Sequence, residues 1–141
     1  MKLRISGESG QDLLEYALIL PVFLLLVLGV TEFGLLFYQH IVVANAAREG
    51  ARAGIVMATD TCPASCIEDR IDDAARAITV GLASLDLTVT PDLDEVSSAG
   101  VHLVSVTVRY KTNLLTKIMI EAVGGKGDVT LQSTATMQRE Y

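Results

Sequence analysis

Gly10, Gln11, Glu15 and Tyr16 stand at the entrance of a long apolar run, and their types and spacing could serve a proteolytic cut that remakes the N-terminus. A short polar leader with Lys2 and Arg4 precedes them, and ALILPVFLLLVLGV follows. A secretory signal peptide has another order: a basic start, an apolar core of roughly 7–15 residues, then a small-residue cleavage site. Here the core is longer and no Ala-x-Ala-like site closes it, so the candidate scissile bond lies before it, between Gly10 and Gln11. A cut there leaves the apolar helix on the mature protein. It also frees an α-amino group on Gln11, slightly more than one helical turn from the Glu15 carboxylate. A charge at the centre of a membrane helix costs at least about 2.5 kcal/mol, so it usually has a partner. The new amine is a natural one, within the helix or between staggered neighbours.

Chemistry elsewhere in the chain is sparse. The two histidines, His40 and His102, stand in no Ser or Cys nucleophile context. Lipase-type GxSxG, HExxH, P-loop and dinucleotide fingerprints do not occur. The sequence therefore predicts no enzyme, no catalytic residue, no metal and no cofactor. Glu68, Asp69, Asp72 and Asp73 fall in a helical pattern and not in a D-x-D-x-D-G loop, which reads as a solvated helix face and not a calcium site. Cys62 and Cys66 flank Pro-Ala-Ser with no further Cys or His nearby, short of the four ligands of structural zinc. A redox C-x-x-C has one residue fewer between its thiols. In an exported domain the pair is expected to form a disulfide that shapes the loop, worth about 2 kcal/mol or less in chain entropy.

The elements that must position these residues begin with one long helix. The chain has 141 residues, which suits one membrane element and one small domain. Residues 13–38 are overwhelmingly Leu, Val, Ile, Phe and Ala, enough to cross a hydrocarbon core of about 30 Å. Tyr16, Phe37 and Tyr38 sit near the two ends of a span over about residues 16–38, as interfacial aromatics do. Pro21 lies one turn in and is expected to bend or locally melt the helix. Glu32, near the far end, is either a headgroup-level boundary residue or the partner of a positive group on a neighbouring subunit. The helix is predicted to continue to residue 58, with Ala44, Ala47, Ala51, Gly54 and Ala58 on one face and a GxxxG match at Gly50 and Gly54. Such small residues admit a close neighbour. That neighbour is either another subunit's helix, met at Ala47, Gly50, Ala51 and Gly54, or the protein's own globular domain.

The remainder reads as an exported domain over residues 59–141. A second helix carries Ile67, Ile71, Ala74, Ala75, Ile78 and Leu82 as its apolar stripe, with Ser65 and Glu68 at capping-box spacing. Three strands are predicted: residues 85–90, stopping at Pro91; residues 101–111, with Val104, Val106, Val108 and Tyr110 on one face; and residues 128–139, with Val129, Leu131, Ala135 and Met137 together. A turn-like run over residues 92–100 joins the first two, and a short helix over residues 113–123, ended by Gly124 and Gly125, joins the last two. The fold class is α+β: a long membrane helix continuing into a helix on a roughly three-stranded antiparallel sheet. The net charge is -6, and -7 once residues 1–10, with Lys2, Arg4 and Glu8, are removed. An acidic domain with no basic stripe excludes nucleic acid and anionic headgroups as partners.

The N-terminal pattern resembles a known family. Gly10, four residues, then Glu15-Tyr16 is similar to the class III signal of Flp-type prepilins and pseudopilins of the tight-adherence (Tad) pilus. GQDLLEYALILPVFLLLVLGVTEFGLLFYQHIVVANAAREGARAG resembles the TadE-like pattern: G-Q-x-x-x-E-aromatic, a Pro in the apolar run, Glu-Phe-Gly near its end, then A-A-R-E-G-A-R. The remaining part resembles the family in its strand-rich layout and closing strand. The resemblance implies a minor pilin or assembly pseudopilin in the cytoplasmic membrane, its residues 1–10 removed by a prepilin peptidase and its domain exported. Gly10 and Gln11 would be the scissile pair, and Glu15 and Tyr16 the recognition and assembly positions. Its implied partners are the peptidase, other pilin subunits, the assembly platform and membrane lipid. Major Flp pilins are very short, so the exported domain departs from the principal subunit. The competing expectation is an unprocessed single-pass protein whose exported domain binds a ligand or senses the envelope; a third is a tethered periplasmic enzyme.

Overall fold

The computed structural model of the chain describes residues 8–56, 63–83, 86–96, 102–122 and 124–138. Its elements are α1 (Glu8–Val56), α2 (Ala64–Ile78), β1 (Leu87–Val96), β2 (His102–Asn113), α3 (Lys117–Ala122) and β3 (Asp128–Gln138). The three strands make one antiparallel sheet in the order β1-β2-β3. The upper part of α1 covers one face of it, and α2 packs against α1 and reaches β1. This is the α+β, pilin-like layout that the hydrophobic pattern predicts.

The 49 residues of α1 form one helix, about 70 Å long at 1.5 Å per residue. Pro21 lies inside it and the helix runs on through it, so the bend expected there does not interrupt the element. Proline supplies no N–H, which leaves the Ala17 carbonyl without its helical donor. The helix divides by environment. Residues 10–31 are exposed throughout, Leu and Phe included, whereas Val43, Ala46, Ala47, Gly50, Ala51 and Gly54 are buried at helical spacing. One helix therefore has an exposed lower half and an upper half that is a core element.

Facing it, α2 buries Ile67, Ile71 and Ala75 and exposes its acids and Ile78. The capping box does not form: α2 begins at Ala64 behind an N-cap Pro63, so Ser65 already lies inside the helix and caps nothing. Pro63 takes over because its fixed φ suits the entry, and its carbonyl accepts from Cys66 and Ile67 at 2.9 and 3.2 Å. Arg76 donates to Asp72 one turn back at 2.6 Å. Cys66 is disulfide-bonded, while Cys62, the other cysteine of the expected pair, lies outside the described residues.

In the sheet, Val104, Val106, Val108 and Tyr110 of β2 point into the core. The opposite face is polar and internally paired: Ser105 meets Thr136 at 2.9 Å, Thr107 meets Thr134 at 2.9 Å, and Arg109 donates to Gln132 at 3.0 Å. Each is a directly opposed cross-strand pair, the usual way a solvated face adds to a sheet. At the far end Lys111 meets Asp128 at 3.2 Å and holds its carboxyl below the usual carboxylate range. The first strand differs from its sequence reading. It runs through Pro91 to Val96, with a bulge between Asp92 and Glu95, where a strand end and a turn were expected. β1 is an edge strand, and an edge tolerates proline because one side of it needs no donors. The short helix also shrinks from residues 113–123 to Lys117–Ala122 because β2 continues to Asn113.

Candidate functional site

Gly10 and Gln11 sit in the first turns of α1, with the bond between them in helical backbone. This end is the least secured part of the helix, since the first four N–H groups have no intrahelical acceptor and glycine weakens a helix by about 1 kcal/mol relative to alanine. Nothing lies within 4 Å of a Cβ built on Gly10. Glu15 follows Gln11 by four residues and so neighbours it on the helix surface. Asp12, Glu15, Tyr16 and Ile19 line one shallow concavity along that face. Glu15 and Tyr16 are exposed, and no salt bridge among the described residues involves Glu15. Gly10, Gln11, Glu15 and Tyr16 thus lie together near one exposed end of the described helix.

The small-residue face lies elsewhere and has its neighbour. Ala47 and Ala51 are fully buried. A Cβ on Gly50 would stand 3.2 Å from Val106 Cγ1 and 3.3 Å from Ile71 Cγ2. On Gly54 it would stand 2.9 Å from both Ile71 Cδ1 and Val104 Cγ1. Ala47, Gly50, Ala51 and Gly54 therefore admit α2 and β2 of the same chain, the second of the two neighbours the sequence left open. Ala44 is only half-buried and Ala58 lies outside the described residues, while Val43 and Ala46 complete the stripe.

Glu32 is the site residue whose partner the sequence did not reveal. The Thr116 N–H donates to its Oε1 at 3.1 Å and the Thr116 hydroxyl to its Oε2 at 2.7 Å. Thr116 immediately precedes α3, and its carbonyl accepts from Ile120 at 3.1 Å. The carboxylate thus ties the start of a helix in the β2–β3 connection to α1, across 84 residues of sequence. Thr116 falls inside the helix expected over residues 113–123, so nothing in the sequence marked it as a cap, and its partner lies 84 residues away. Glu32→Ala is expected to free this turn at a cost of about 1.5 kcal/mol, the low end for hydrogen bonds to a charged group, because the carboxylate is half-buried. Amide hydrogen exchange at Thr116 should accelerate accordingly. Unchanged exchange there would mean that the contact holds nothing.

One helix among the described residues is long and apolar enough to cross a membrane, which supports a membrane-anchored protein. The family model described as TadE-like protein matches residues 10–52. Those residues begin at Gly10 and take in the exposed apolar half of α1 and most of its buried small-residue half. No curated protein and no solved structure matches the chain. Over residues 10–52, then, the chain is similar to TadE-like proteins.

Proposed function

We propose that the chain is a minor pilin or pseudopilin that takes part in assembling a Tad pilus. Its leader, residues 1–10, is removed by a prepilin peptidase at the cytoplasmic membrane, and residues 59–141 form the exported domain. The observation that carries this reading is the division of α1. The upper half spends its small residues on the protein's own core, whereas residues 13–30 stay exposed. That lower half is the surface left for lipid before assembly and for other pilin helices after it. Apolar helices gain little by leaving lipid for one another, so a polar pairing that forms between helices decides when they associate. Glu15 with the Gln11 amine of a neighbour supplies such a pairing once the leader is gone. The assembly platform and other pilins are its partners, and the Cys62–Cys66 disulfide shapes the loop before α2.

Glu15→Ala tests the assembly role. Membrane insertion should be kept, because the substitution makes the helix more apolar. Co-isolation with the pilin subunits of a Tad system should fall about tenfold or more, the equivalent of roughly 1.4 kcal/mol. A variant that assembles as well as the unsubstituted chain would remove Glu15 from the mechanism. The runner-up, an unprocessed membrane-anchored sensor, gains no observation of its own.

A further inference from the structure

The β2–β3 connection descends along α1 toward the membrane. Thr112, Asn113, Leu114 and Leu115 lie beside Leu35, Leu36 and Gln39 of α1. Below them Thr116 is fastened to Glu32, and then Ile120, Gly124 and Gly125 face Leu25 and Gly29 across a mostly apolar open groove of about 760 Å³. Leu25 lies about 10 Å further toward the N-terminus of α1 than Glu32 at 1.5 Å per residue. A span of about 20 residues that starts as early as Leu13 ends at Glu32, and one that starts at Tyr16 ends at Leu35. By either count Leu25 and Gly29 are at hydrocarbon depth, and so is whatever packs beside them.

The backbone of this connection is prepared for such a medium, where an unpaired N–H or C=O costs several kcal/mol. Leu114 N–H donates to Gly127 at 3.0 Å, Lys117 N–H to Leu114 at 3.1 Å and Ile120 N–H to Thr116 at 3.1 Å. Gly124 N–H donates to Glu121 at 3.0 Å and Gly125 N–H to Ile120 at 2.9 Å, with Gly124 at φ +86°, a Schellman closure. Glu32 takes the Thr116 donors. Lys117 and Glu121 face each other at 3.8 Å, and a lysine stem can carry its charge up to the headgroups. Leu115, at the turn, is 61% exposed, which in water would be an unanswered apolar surface.

We propose that residues 114–122, with Gly124 and Gly125, are a second membrane-seated element, a foot immersed in the leaflet on the domain side, with lipid acyl chains filling the groove against Leu25 and Gly29. The inference rests on reading α1 as a membrane span. The foot would fix the height and tilt of the exported domain over the bilayer, which a single helix leaves free.

The chain contains no tryptophan, so a single introduced one reports its own surroundings. Three full-length variants are reconstituted in phosphatidylcholine vesicles with and without bromine on the acyl chains: Leu115→Trp in the foot, Leu24→Trp in the span and Val56→Trp at the far end of α1. The Leu115→Trp chain is expected to emit blue-shifted light and to lose most of it to the brominated lipid, as Leu24→Trp does, with Val56→Trp unquenched. Water-like, unquenched emission from Leu115→Trp beside a quenched Leu24→Trp overturns the foot and leaves the span standing. Blue-shifted but unquenched emission puts a second copy of the chain in the groove and overturns it too. If Leu24→Trp is itself unquenched, the span fails and the foot with it.

Discussion

Replacing Gly54 by leucine is expected to separate the exported domain from α1. The first added carbon already stands 2.9 Å from Ile71 Cδ1 and Val104 Cγ1, closer than side chains pack. Ile71 is fully buried and Val104 nearly so, and both are β-branched, so neither can swing aside without displacing a neighbour. Leucine raises the helix propensity of the position by somewhat less than 1 kcal/mol. Overpacking costs about 3 kcal/mol or more at a site as closed as this. The net loss should lower the unfolding midpoint of the detergent-solubilised chain by on the order of 10 °C. Gly29→Leu is the matched control: it makes the same change on the same helix, where nothing lies within 4 Å. An unchanged midpoint for Gly54→Leu would mean that the upper half of α1 is not part of the core.

Gly10→Ala is expected to suppress removal of the leader. The proposed scissile bond lies in helical backbone, and a peptidase would have to draw it out into an extended strand. Alanine stabilises the helix by about 1 kcal/mol, which alone makes the opened form about fivefold rarer. The added Cβ then meets the enzyme where glycine offers none. Gly10→Val separates the two causes, because valine is a poorer helix former than alanine. Both variants uncleaved points to the Cβ, whereas Val cut faster than Ala points to helix opening. Processing as rapid as with Gly10 in both variants would exclude this bond. The leaderless end and the Glu15 pairing depend on this cut, so its loss should also abolish incorporation.

The parts legible in the sequence are those whose residues answer to one surrounding. Residues 13–30 are almost wholly apolar yet exposed, the pattern that a membrane span requires, and β2 alternates because it has one core face and one wet face. Legibility ended where a residue answers to a distant partner. Small residues at Ala47, Gly50, Ala51 and Gly54 announce a close neighbour without naming it, and Ile71, Val104 and Val106 become that neighbour only in the fold. Pro91 reads as a strand end, yet the edge position of β1 lets the strand pass through it. Ser65 and Glu68 have the spacing of a cap and lie inside α2 because Pro63 starts the helix earlier. Glu32 reads as a headgroup-level boundary residue or as a charge awaiting another subunit, until Thr116 meets it.

The central claim is a cut between Gly10 and Gln11 that leaves the membrane helix on the mature protein. Its most direct test is the intact mass and N-terminal sequence of the full chain, expressed with and without a prepilin peptidase of a Tad system. The chain is expected to begin at Met1 without the peptidase and at Gln11 with it, the latter still held in the membrane fraction. A chain whose N-terminus is the same in both, whether Met1 or Gln11, would contradict it.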